Sequence, residues 1–114
     1  MADSRDQLQQ QMAEIGNRYL RRTFGELTRL REIISTLESG AAALWEELEH
    51  LSHRIHGSGA MFGFDAVSDQ ARHIELIAAK RSLEGTVRQE LDERVVTLER
   101  MVHEAERTRG LELS

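Results

Sequence analysis

The stretch "HRIHGSGAMFG", residues 53–63, decides how the chain is read. Two local structures compete for it. A glycine-rich nucleotide loop needs a strand before it, a strand–turn–helix setting and a Lys-Ser/Thr pair. Here the preceding residues repeat with a helical period, no strand is apparent and no such pair follows. The other reading is a helix that runs through Gly57 and Gly59 and ends at Gly63. A glycine inside a helix is unfavourable by about 1 kcal/mol relative to alanine, so both internal glycines need a reason.

Upstream and through the stretch, Leu44, Leu48, Leu51, Ile55 and Phe62 fall on one side of a helix. Three further segments show the same spacing. The first carries Leu20, Phe24, Leu27, Leu30, Ile34 and Leu37; the third carries Val67, Ala71, Ile74, Ile77 and Ala78; the fourth carries Val87, Leu91, Val95, Leu98, Val102 and Ala105. Breaks fall only at "ESG" (38–40), "GFD" (63–65) and "RSLEG" (81–85). Short connections between amphipathic helices predict an all-α, antiparallel up-down four-helix bundle. Residues 1–114 read as one domain. Around Leu8 and Met12 the pattern leaves two options, a short extra N-terminal helix or a frayed end. Asp65 is placed to cap the third helix, and Gly40 and Gly85 suit helix ends.

Composition agrees. Of 114 residues, 39% are hydrophobic and none is proline, which permits long uninterrupted helices. Fifteen basic and 20 acidic residues are mixed along the chain, for a net charge of -5, with no basic stripe for nucleic acid. With no cysteine, disulfides, thiol catalysis and cysteine-bound zinc are excluded. No apolar run is long enough to span a membrane. The start, "MADSRDQLQQQMAE", lacks the apolar region of a signal peptide. A cytoplasmic protein is expected.

On the second helix, His53 falls opposite the mean direction of the apolar stripe. Its neighbours on that outer face are Glu49, His50, His56, Gly57 and Ala60. An exposed histidine is ordinarily only a surface residue. Gly57, one turn on, changes the weighing. That face is not core, so a missing side chain there clears room for a close approach from outside. Gly59 leans towards the core, where small size lets helices pack tightly. Glu49, His50, His53, His56 and Glu75 offer a rival metal site, yet His50 and His56 diverge around the helix by roughly 120°. Ser52 and Ser58 face neither histidine well enough for a hydrolase triad. Trp45, at the edge of its stripe, reads as partly packed. His73 and His103 have no distinctive spacing.

"HRIHGSGAMFGF" followed by "DAVSDQARHIE" resembles the signature of the histidine-containing phosphotransfer (Hpt) domain family. That signature has a histidine, an aliphatic two residues on, usually lysine, then glycine, a small residue and a second glycine six after the first. Here these positions hold His53, Ile55, His56, Gly57, Ser58 and Gly63. An aliphatic–acid or aliphatic–amide pair on the next helix matches Ile74–Glu75. The close likeness covers about residues 44–78. His56 departs from the usual lysine, and a histidine's charge varies near neutral pH.

The resemblance implies a phosphorelay carrier of two-component signalling, without kinase activity of its own. His53 would accept and donate the phosphoryl group, with Glu75 orienting its ring and His56 and Gly57 supporting the site. The implied partners are response-regulator receiver domains, which supply Mg²⁺, and a hybrid sensor histidine kinase. No cofactor bound to the chain itself, no metal site and a monomeric state are expected. Partner docking is expected on Glu49, His50, Ala60, Phe64, Ser68 and Arg72. Two other readings fit the same helices: an adaptor or dimerising module, and a His-rich metal-binding bundle.

Overall fold

The computed structural model describes residues 4–113, and four helices account for nearly all of them. They are α1 (Ser4–Thr36), α2 (Ala42–Met61), α3 (Asp65–Lys80) and α4 (Val87–Leu113). Each helix packs on its sequence neighbours, and α4 closes the ring against α1. Cross-helix pairs show the antiparallel register. Between α1 and α2, Tyr19 meets Ile55 and Arg29 meets Glu47; between α2 and α3, His53 meets Glu75 and His56 meets Ser68. In each case the partner's number falls as the first rises. The expected up-down four-helix bundle is what the chain forms.

The core follows the apolar stripes. Leu20, Leu27, Leu30, Ile34 and Leu37 of the first segment are buried, with Leu48, Ile55, Val67, Ala71, Ile74, Leu91, Val95, Leu98 and Val102. Three expectations need correction. Phe24 is 45% exposed. The inward line of α1 passes instead through Tyr19, Thr23 and Leu27, at steps of four. Trp45 is fully buried, because its indole N–H reaches across the first turn to the Glu38 carbonyl at 3.0 Å. A tryptophan buries completely where its polar edge finds a partner. Around Leu8 and Met12 there is neither a separate helix nor a frayed end within the described residues. Both lie on the unbroken α1, exposed, and burial begins at Gly16.

The helix ends also differ from expectation. Asp65 is the first helical residue of α3, not its cap; Phe64 holds the cap position without a side-chain bond. Asp65 still places negative charge at the positive end of the helix. Gly40 and Gly85 lie in the turns before α2 and α4, and α3 ends on Arg81 in a left-handed conformation, φ 51°. Carbonyls in the last turn of α1 and just past it are met from another helix: the Arg88 guanidinium of α4 donates to those of Ile34 and Leu37. The end of α2 is as read. Gly63 adopts φ 83°, the Phe64 N–H donates to the Gly59 carbonyl at 2.8 Å and the Gly63 N–H to the Ala60 carbonyl at 3.3 Å. This paired closure needs a residue that tolerates the left-handed region, which glycine does.

Candidate functional site

The α2–α3 hairpin presents a histidine and holds its ring. The His53 side chain is 73% exposed on the outer face of α2, as the helical wheel requires. Its Nδ1 lies 3.0 Å from Glu75 Oε1 and 3.1 Å from Oε2, across to α3. A carboxylate can only accept, so Nδ1 carries the hydrogen and donates it. The neutral ring then keeps its lone pair on Nε2. Glu75 is itself mostly covered, so the pair is fixed from the protein side and open on the other.

His56 is held differently. Its Nδ1 sits 2.8 Å from Ser68 Oγ and 3.2 Å from the Ser68 carbonyl. The Ser68 hydroxyl in turn donates to the His56 carbonyl at 2.8 Å. The rings of His53 and His56 are 6.5 Å apart, edge to face. Ser68 is only 5% exposed, which corrects its expected place on a docking surface. It faces inward because it lies one turn from Ala71 on the buried side of α3.

The two glycines of the stretch separate cleanly. A Cβ on Gly57 would meet nothing within 4 Å. A Cβ on Gly59 would sit 3.0 Å from Tyr19 Oη and 3.3 Å from the Ser68 backbone nitrogen and Cβ. Gly59 thus lets three helices approach, beside the Tyr19 hydroxyl bond to the Ile55 carbonyl at 3.2 Å. Burial pushes the Tyr19 phenol above its usual pKa, keeping it a donor. Nothing in the fold itself asks for Gly57.

Of the other expected residues, Glu49 and His50 line a depression with His53, Arg54 and Glu75. Arg54 was not foreseen; it follows His53 directly, on the flank towards α1, where it lies 3.9 Å from Glu26. Ala60 and Arg72 are exposed. Phe64 is half-buried, stacked on Tyr19 at 5.4 Å, with the Arg109 guanidinium 4.9 Å from its ring. A wider depression, lined by Gly63, Phe64, Asp65, Met101, Glu104 and Arg109 among others, includes neither His53 nor Glu75. Among the described residues, no three His, Asp or Glu side chains are grouped so as to hold a metal ion. No helix among them is long and apolar enough to cross a membrane.

No curated protein and no solved structure matches the chain. The family model of the Hpt domain matches residues 2–108, a span that takes in all of α1, α2 and α3 and most of α4. The chain therefore belongs to the Hpt domain family, whose members carry out histidine phosphotransfer in phosphorelay signalling.

Proposed function

We propose that His53 is the residue that carries the phosphoryl group, passing it to and from receiver-domain aspartates. One observation carries this reading: an exposed imidazole whose Nδ1 is tied to Glu75 and whose Nε2 is turned to solvent. Nε2 attacks the phosphorus of a partner's aspartyl phosphate in line. The N–P bond forms as the P–O bond breaks, and the aspartate leaves as a carboxylate. Because Nδ1 keeps its hydrogen, the phosphorylated ring is cationic, and the Glu75 carboxylate faces that charge. The reverse reaction retraces the same path. Mg²⁺ brought by the receiver would neutralise charge on the moving group. The chain supplies a positioned nucleophile and no nucleotide chemistry, so it acts as a carrier fed by a hybrid sensor kinase, and a monomer suffices.

On this reading Glu49 and His50, which line the depression with His53, and the exposed Ala60 and Arg72 form the contact surface, and Gly57 lets a partner's active site close over the ring. The test is transfer of labelled phosphate from phosphorylated receiver domains of the same host. An acid-labile, alkali-stable label is expected, mapped to His53 by mass spectrometry. Label on another residue would overturn the assignment of His53, and no label from any receiver would favour the adaptor reading.

Gly57 and Gly59 give a paired prediction. Gly57→Ala should raise stability to urea by up to about 1 kcal/mol, as a helix interior gains alanine without a clash. It should also slow transfer about tenfold or more, because a small misplacement at the reacting atoms is costly. Gly59→Ala should lower stability by about 1–3 kcal/mol through overpacking. Wild-type transfer by Gly57→Ala would show that the open face is not used for approach.

A further inference from the structure

We propose that Ser68 is a positioning residue that makes His56 a proton-dependent hydrogen-bond donor to the phosphoryl group on His53. The proposal rests on the reading of His53 as the phosphoryl acceptor. Its own ground is the bonding around His56. The Ser68 carbonyl can only accept, and the Ser68 hydroxyl has given its hydrogen to the His56 carbonyl. Both contacts with His56 Nδ1 therefore require a hydrogen on that nitrogen. In the neutral ring, Nε2 of His56 is then a bare lone pair, which repels phosphoryl oxygens. Only the imidazolium carries a hydrogen on Nε2 and can donate to them.

The 6.5 Å between ring centres leaves room for a phosphoryl group beside His56. No other contact engages the far edge of the His56 ring among the described residues. Among the described residues, only α1 and α3 pack against α2. On α3 the charged residues within about one turn of Ser68 are Asp65, Asp69 and Arg72, and Glu75 beyond them is bonded to His53. On α1 the titratable group on the turn against Ile55 is Tyr19, a neutral phenol whose hydroxyl donates to the Ile55 carbonyl. On α2 itself it is His53. None of these bonds to His56. By linkage, if a proton on His56 stabilises phosphoryl on His53, phosphoryl on His53 must hold that proton more tightly.

The test is nitrogen-15 NMR of the full chain, followed across pH before and after phosphorylation with phosphoramidate, which needs no partner. Three results are expected. Neutral His56 shows the Nδ1–H tautomer. Its titration midpoint moves to higher pH by about one unit on phosphorylation, and further than that of His50, which lacks the serine anchor. Ser68→Ala keeps the backbone carbonyl but loses the hydroxyl contact at 2.8 Å, so the preference for Nδ1–H weakens and the movement shrinks towards that of His50. An Nε2–H tautomer in the wild type overturns the proposal, as does movement no greater than that of His50 with His53 phosphorylated. If Ser68→Ala fails to fold, His56→Lys serves. Its fixed charge should remove the part of the pH dependence of phospho-His53 yield that wild type shows, and an unchanged pH profile overturns the proposal. Failure of His53 to take any label defeats the reading of His53 instead, and the phosphoryl role of His56 with it, while the wild-type tautomer still judges the Ser68 contact.

Discussion

His53→Gln is expected to abolish phosphoryl acceptance and to leave stability to urea within about 0.5 kcal/mol of wild type. Both halves follow from the position of the ring. Glutamine keeps a polar side chain with an N–H that can still face Glu75, yet it has no nitrogen lone pair basic enough to attack phosphorus. The side chain is mostly exposed, and its one bond within the fold is an exposed contact with Glu75, so little folding energy depends on it. Transfer from a receiver and urea unfolding, measured on the same preparation, check the pair. Acceptance at even a hundredth of the wild-type rate would place the phosphoryl group on another residue. A loss of several kcal/mol would mean that the ring is part of the core after all.

Trp45→Ala is the mirror case, with a loss of about 3–5 kcal/mol. Trp45 is among the largest fully buried side chains, and its indole ties the start of α2 to the Glu38 carbonyl in the preceding turn. Truncation leaves a cavity and an under-bonded carbonyl together. A domain of this size has a total stability of about 5–15 kcal/mol, so the variant is expected to sit near its unfolding limit. Urea or thermal denaturation measures the loss. A change below 1 kcal/mol would show that the turn at 37–41 re-packs to fill the space. Phosphotransfer at low temperature should survive, since Trp45 is two turns from His53 along α2.

What could be read from the residues was whatever repeats along one helix. The four stripes gave the helices and most of the core, and the wheel of α2 put His53 outward and Gly57 beside it. Features that depend on how two helices face each other were not legible. Ser68 looked like a surface position because the rotation of α3 was unknown; only the packed hairpin turns it beneath His56. Trp45 looked marginal because its hydrogen-bond partner is a backbone carbonyl seven residues away in an irregular turn. Arg81 in a left-handed conformation carries no sequence signal, since glycine is the usual occupant. Glu75 was reached by family resemblance, not by period: nothing in its own helix distinguishes it from an ordinary surface acid.

The bonds that hold the His53 and His56 rings span short stretches of chain. His53 and Glu75 are separated by 22 positions, and His56 and Ser68 by 12. The ties between the outer helices reach much further, 68 positions from Arg31 to Glu99. Closing a short loop forfeits less chain entropy than closing a long one, and local contacts favour rapid folding. The relay centre is thus expected to assemble early and to outlast partial opening of the molecule. Amide hydrogens of α2 and α3 near Gly59 should exchange more slowly than those at the start of α1. Fraying where α1 and α4 extend would then leave the His53–Glu75 and His56–Ser68 pairs intact.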